Sequence, residues 1–238
     1  MSTPIFFHAH THAGDVTALD ETSARHATQV LRMQPGDQLQ LTNGEGLLWT
    51  ATLHLASKKQ CLVKIEKEEM LKRLIPRKVG LAISPVKNVS RFEWFLEKAT
   101  ELGVAEIFPV KCHRTVKEHF RMERMRQICM SAMLQSRQTW LPILHEPIVF
   151  KDFTNSSSAK AYHHRWIAHC ENYEKHNLSK ILQPAMPDSL LLIGPEGDFT
   201  TEEIFEATNG GYIAVSLGET RLRTETAGMV GAALMCLC

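Results

Sequence analysis

The chain has 238 residues, 44% hydrophobic and 22% charged, with a net charge of +1, ordinary values for a globular enzyme of one large or two modest domains. No apolar run reaches the roughly 20 residues of a membrane span, and the N-terminus lacks a basic-then-apolar signal, so neither a membrane protein nor an exported one is expected. Six cysteines lie scattered with no C-x-x-C pair, which points to a reducing cytoplasm and against a disulfide framework or a zinc site.

Residues 1 to about 70 read as short strands. "PIFFHAH", "QLQLTNG", "LLWTATLHLA" and "QCLVKIEKE" are rich in β-branched and aromatic residues, with Gly, Asn and Asp between them. "DETSARHATQVLR" is the exception, with helical spacing through Ala24, Ala27, Val30 and Leu31. The pattern predicts a small β-rich domain, a barrel. His8, His10 and His12 of "HAHTH" share one predicted strand face; without a fourth ligand or H-E-x-x-H spacing they read as an exposed strand, and no metal is expected. "KRLIPRK" reads as a linker.

From Lys78 the pattern becomes strand–helix alternation. "KVGLAISPV" is a near-continuous apolar strand, followed by the helix "SRFEWFLEKATELG" with Ser90 as N-cap, Glu93 at the capping-box position and Gly103 as stop. "EIFPV" is a strand and "FRMERMRQICMSAMLQS" a long helix whose Met122, Met125, Met130 and Met133 read as packing residues. "NSSS" at 155–158 reads as a loop. "RWIAHC", "LLLIGP" and "YIAVSLG" are further strands; Thr200 and Glu203 form a capping box opening "TEEIFEATN", and "TETAGMVGAALMCLC" is the last helix. Strands bounded by helices of this length predict a mainly parallel sheet with helices on its faces.

Charge is uneven. Residues 58–91 carry ten Lys/Arg and three Glu, and residues 111–137 seven Lys/Arg and two Glu. Residues 196–225 carry seven acids against two arginines. Two basic blocks in a near-neutral chain are either a footprint for a polyanion or solvated helix faces.

In open parallel sheets ligands bind beyond the carboxyl ends of the strands. Two such ends here have glycine-rich exits, "LLLIGPEGDF" and "AVSLGET", and neither fits G-x-G-x-x-G or G-x-x-x-x-G-K-[ST]. Together "LLLIGPEGDFTTEE", "VSLGETRLRTETA", "EKATELGVAEIFPV" and "HATQVLRMQPGD" resemble, in order and over nearly the whole chain, the RsmE-like family of 16S rRNA uracil-N3 methyltransferases of the SPOUT superfamily. The resemblance implies an α/β fold with a small β domain. Residues 1–72 would form a PUA-like, RNA-binding β-barrel, and residues 76–238 a SPOUT domain with a parallel sheet and a trefoil knot. It further implies S-adenosylmethionine as cofactor, 16S rRNA or the small ribosomal subunit as partner, and a cytoplasmic homodimer.

On that resemblance the cofactor lies among three loops. The first offers Leu192, Ile193, Gly194, Pro195, Glu196 and Gly197, the second Leu217 and Gly218, the third Leu222, Thr224, Thr226 and Ala227. Main-chain groups would meet the adenine edge and Leu192, Leu217 and Leu222 would form apolar walls. Arg223 and Glu225 are the charged residues left for catalysis: Glu225 as acceptor of the uracil N3 proton, or Arg223 as stabiliser of the uracil anion. His26 and Arg32 match the family's H-x-x-x-V-L-R motif, as RNA contacts or as braces of the barrel against the second domain, and Lys117, Arg121 and Arg124 belong to the second basic block as RNA contacts. The chain departs from the family's Ala-Glu-Gln-Ser-Gly-Arg at Leu134, Arg137 and Gln138, and Asp198 stands where Gly-Pro-Glu-Gly-Gly has its last glycine. A SPOUT enzyme with another RNA target, or a non-catalytic ribosome-assembly factor with the same fold, is the alternative.

Overall fold

Alternating apolar side chains in three long segments organise the first of two units. The computed structural model describes residues 3–57, 60–116, 120–184 and 186–237. One unit comprises Met1–Leu74 with Met133–Leu141, the other Ile75–Ala132 with Pro142–Cys238.

In the first unit, β1 (Ile5–Phe7), β2 (Val16–Ala18), β3 (Gln38–Thr42), β4 (Leu47–Ala56) and β5 (Cys61–Met70) form one sheet in the order β1-β3-β4-β5-β2. Every second residue points to one face, and so Leu39, Leu41, Trp49, Ala51, Leu53, Val63 and Ile65 share a single core. The Trp49 indole N–H donates to the Glu68 carboxylate at 2.7 Å, which satisfies its one buried donor.

Two local expectations need correction. β1 stops at Phe7, so His8, His10 and His12 do not share a strand face. The helical segment breaks in two: α1 (Glu21–Arg25), capped by the Asp20 carboxylate, runs into a π-helical turn at His26–Val30 closed by Leu31 N–H to the His26 carbonyl at 3.0 Å. Arg32 then leaves in the left-handed region, φ 55°.

The described residues of the second unit form an eight-stranded sheet. Its strands are β6 (Val79–Ile83), β7 (Glu106–Lys111), β8 (Ile143–Leu144), β9 (Ile148–Val149), β10 (His164–Ala168), β11 (His176–Asn177), β12 (Ser189–Ile193) and β13 (Ile213–Ser216). All pairs are parallel, in the order β11-β13-β10-β12-β6-β7-β8, with β9 beside β7. β6 and β12 are buried at every position because both faces are covered, which is why they read as unbroken apolar runs.

The helices are α2 (Val89–Glu101), α3 (Met122–Gln135), α4 (Phe150–Asn155), α5 (Ser157–Lys160), α6 (Leu178–Ile181), α7 (Thr201–Asn209) and α8 (Thr224–Leu237). α2 buries Phe92, Phe95, Leu96 and Ala99, a stripe at helical spacing. Its N-cap is Asn88, not Ser90: the Asn88 side chain accepts from Arg91 N–H, and Glu93 turns instead to Arg124. "NSSS" is not a loop either, since Ser156 ends α4 and caps α5 by accepting from Ala159 N–H. The capping box at Thr200 and Glu203 is complete.

α8 docks on α2, β6 and β12. A Cβ on Gly228 would meet the Phe95 ring at 2.6 Å and Ile83 at 2.8 Å, and one on Gly231 would meet Leu191 at 2.4 Å. Only a bare backbone fits at these two places, so the helix lies directly on the sheet.

Glu106, at the start of β7, is a buried acid with Lys78, His145 and Tyr162 around its carboxylate. Lys78 Nζ lies 3.0 Å and His145 Nε2 3.5 Å from its carboxylate, and the Tyr162 hydroxyl donates to it at 3.1 Å. Burial raises the carboxyl's pKa, but His145, Lys78 and Tyr162 overcome that and hold it at about 2. A carboxylate depressed in this way stabilises the fold above its unfolded value, near 4.5, and that stability is lost as pH falls toward 2. The ionised group is worth on the order of 3 kcal/mol at pH 7. Glu106→Gln should therefore lower the urea midpoint at pH 7 and flatten the stability profile between pH 5 and 2; parallel profiles for parent and variant would show that the network contributes nothing.

Candidate functional site

β12 delivers the chain into Gly194-Pro195-Glu196-Gly197-Asp198, and neighbouring strand exits clamp this loop. Lys87 N–H, just past β6, donates to Glu196 Oε1 at 2.9 Å. Arg114, past β7, donates to the carbonyls of Gly197 at 2.7 Å and Phe199 at 3.2 Å. Cys170 N–H, past β10, donates to Asp198 Oδ2 at 2.7 Å. The start of α8 closes the set, the Thr224 hydroxyl donating to the Gly194 carbonyl at 3.0 Å.

Beside the loop, at the carboxyl ends of β10, β12 and β13, lies a cavity of about 630 Å³. Of the residues expected at the cofactor and catalytic sites, Ile193, Gly194, Pro195, Glu196, Leu217, Gly218, Leu222, Arg223, Thr224 and Ala227 line it. Leu192, Gly197, Thr226 and Glu225 do not. Leu192 is fully buried in the core beneath. Glu225 is also buried, its carboxylate 3.7 Å from Arg91 Nε of α2, whereas Arg223 is exposed at the cavity.

The two glycines work differently from each other. A Cβ on Gly194 would meet the Phe199 ring at 3.0 Å and its backbone N at 3.2 Å, so Gly194 is required by packing within the loop. Gly218 faces open space but has φ 148°, so it is required by backbone conformation.

Sequence reasoning missed one side of the cavity: Ala168, His169, Cys170 and Lys175, together with Asp198 and Arg221. No motif marks "AHCENYEK"; it borders the cavity because β10 lies between β12 and β13, an order that the sequence does not display. His169 is 7% exposed, and neither ring nitrogen has a hydrogen-bond partner. Burial, then the Lys175 charge, holds its pKa below the usual imidazole range. The lining includes Glu196, Asp198 and Glu219 as well as Lys175, Arg221 and Arg223, a mixed field suited to a zwitterion.

Of the expected RNA contacts, His26 and Arg32 are exposed on the π-helical turn and its exit in the first unit. Arg121 is exposed just before α3; Arg124 makes a two-pronged pair with Glu93 at 2.9 and 3.1 Å; Lys117 lies outside the described residues. Much of the basic blocks is engaged within the protein. Lys78 pairs with Glu106, Lys67 with Glu69, Arg91 with Glu225 and Arg126 with Glu146, and Arg77 donates to the carbonyls of Pro184 and Met235.

The packing around Gly194 carries its own test. Gly194→Ala should lower thermal stability by about 1–3 kcal/mol through overpacking, whereas Gly218→Ala should lower it by about 1–3 kcal/mol through backbone strain alone. Equal melting temperatures for parent and Gly194→Ala would show that Phe199 yields freely.

Comparison with known proteins reaches both units. A family described as an RNA methyltransferase domain matches residues 73–236, and one described as an RNA methyltransferase PUA domain matches residues 19–66. The ribosomal RNA small subunit methyltransferase E of Synechocystis is 30% identical over 233 residues, spanning 92% of this chain and 72% of its own. The protein of the same name from Bacillus subtilis is 29% identical, spanning 85% of this chain and 82% of its own. A crystal structure of the Neisseria gonorrhoeae ribosomal RNA small subunit methyltransferase E bound to S-adenosylmethionine superposes with a TM-score of 0.86 at 28% identity, covering 98% of this chain and 97% of that one. With the family match across most of the chain and a cavity at the strand ends where the motifs converge, the chain belongs to the RsmE-like family of small-subunit ribosomal RNA methyltransferases.

Proposed function

We propose that the chain is an S-adenosylmethionine-dependent methyltransferase acting on N3 of a uridine in 16S rRNA. The observation that carries this reading is the cavity at the ends of β10, β12 and β13, built from the two glycine-rich exits and the Leu-Arg-Thr-Glu-Thr-Ala segment. Its volume falls within the range of small-molecule sites, with apolar walls at Leu217 and Leu222 and a rim of both charges for an amino-acid moiety. The residues present therefore fit S-adenosylmethionine. Ile193 to Glu196, Leu217, Gly218, Leu222, Thr224 and Ala227 would hold it. When bound, the cofactor supplies an electrophilic methyl group on a sulfonium.

Uracil N3 carries a weakly acidic proton, and its anion is the competent nucleophile. Arg223 lines the cavity and is exposed there, which favours it as the cation that stabilises that anion. Glu225 as proton acceptor is the weaker option, because its carboxylate is buried against Arg91 away from the cavity. N3 lies on the pairing edge, so the base must be unpaired or extruded before it reacts.

The wider reading rests on the family resemblance. Residues 1–72 serve as the RNA-binding domain and residues 76–238 as the catalytic one, and the protein works as a cytoplasmic homodimer. The cysteines of the described residues are free, in keeping with a reducing compartment, and no helix among those residues is long and apolar enough to cross a membrane. The return of α8 onto β6 and β12 after β13, which lies beyond β10, supports a knotted path. His26, Arg32, Lys117, Arg121 and Arg124 are proposed RNA contacts, Arg121 ahead of Arg124 because Glu93 already holds the latter.

Calorimetry with S-adenosylmethionine separates the enzyme from a non-catalytic factor of the same fold: the enzyme binds, and absence of binding sinks this reading. Arg223→Ala should reduce the single-turnover rate by about 100- to 1000-fold with both affinities nearly unchanged. Glu225→Gln should show a deficit that is equal across pH, as expected of a group that anchors α8; a deficit that shrinks as pH rises would restore it as the base. Arg121→Glu should weaken RNA binding and reduce the slope of log K against log salt by about 0.7–0.9 per lost phosphate contact, and an unchanged slope would remove Arg121 from the interface.

A further inference from the structure

The side of the cavity that no motif announces is built with unusual care. Asp198 has φ 63°, a conformation that costs most non-glycine residues about 1 kcal/mol or more and that Asp tolerates better than most. Its carboxylate bonds in two directions: Oδ1 accepts from its own neighbour Phe199 N–H at 2.9 Å, and Oδ2 accepts from Cys170 N–H at 2.7 Å. The second bond crosses from the exit of β12 to the exit of β10. The segment it reaches is closed from its other end by Lys175, whose ammonium donates to the carbonyls of His169 at 3.0 Å and Glu171 at 2.7 Å.

Between these two ties sits His169, lining the cavity, nine-tenths buried and without a hydrogen-bond partner on either ring nitrogen. Buried polar groups are almost always paired, and leaving one unpaired is costly. The groups that face this imidazole are the Tyr173 ring, edge-on at 6.0 Å between centroids, the Lys175 ammonium, and the Asp198 and Glu171 carboxylates. None of them bonds to it.

We propose that Asp198 is a positioning residue that latches segment 169–175 against the cofactor loop as a third wall, and that this wall presents His169 to the bound cofactor. A neutral imidazole offers one donor and one acceptor, which matches a hydroxyl or amino group. The inference rests on the cavity being the cofactor pocket.

The test pairs two measurements on the full chain. Asp198→Gly should fold at least as well as the parent, since φ 63° suits glycine, but should bind S-adenosylmethionine about tenfold more weakly, the loss expected for one charge-assisted hydrogen bond. Amide hydrogen exchange across 169–175 should accelerate in the free variant. Asp198→Asn keeps a side-chain oxygen acceptor and should recover affinity to within about threefold of the parent. His169→Phe should weaken the cofactor by about tenfold while leaving exchange in 169–175 as in the parent. Parent-like affinity and exchange in Asp198→Gly would overturn the latch, and parent-like affinity in His169→Phe would overturn the contact. Failure of the parent itself to bind S-adenosylmethionine would sink the pocket reading and the contact with it, while the exchange data, which need no ligand, would still decide the latch.

Discussion

The pocket depends on one loop being held rigid from several directions at once. Gly194 to Phe199 has little regular structure, and its backbone would be free to wander if it were not bonded to Lys87, Arg114, Cys170 and Thr224. Each of those residues stands just beyond a different strand, or at the head of α8. The parallel sheet brings the strand ends to one edge, and the bonds then convert that edge into a shaped surface. Glu203 adds a further tie, accepting from Thr200 N–H within its capping box and from His113 N–H past β7. A cap of this kind does more than start α7; it fastens the helix to the exit of β7.

Below this surface the fold is built for close approach. Gly228 and Gly231 put the backbone of α8 onto Phe95, Ile83 and Leu191, and the head of that helix carries Thr224 and Arg223 toward the cavity. Glu225, one step further round, falls on the α2 side. A helix advances about 100° per residue, so Thr224 and Glu225, adjacent at its start, serve different neighbours.

What the sequence made legible follows from how local each signal is. The Thr200–Glu203 capping box is a four-residue pattern with no competitor, and it appears as read. The cap of α2 was misread because Asn88, two residues earlier, is as good a cap as Ser90, and Glu93 has a stronger partner in Arg124, which is 31 residues away. β8, β9 and β11 have two residues each, too few for any periodicity. Charge counting left the basic blocks open between a footprint and solvated faces, whereas Lys78, Arg77 and Arg114 are engaged by a buried acid and by main-chain carbonyls. The wall at 169–175 could not be read at all, because it needs the spatial order of β13, β10 and β12. Arg137 and Asp198 both replace expected glycines and both keep a glycine-like backbone, φ 58° and 63°. The turns were thus legible from the family pattern even where its residues were not.

The tight seat of α8 has a consequence for how the protein is made. Gly228 meets Ile83 and Phe95, residues synthesised long before it, and the seat exists only once β6, β12 and α2 have come together. Contacts of such long sequence separation are slow to form. α8 also carries Thr224, the group that ties Gly194. The docking of α8 thus also sets the Thr224 tie that holds one side of the pocket. A small molecule that binds only the form with α8 seated favours that form by mass action.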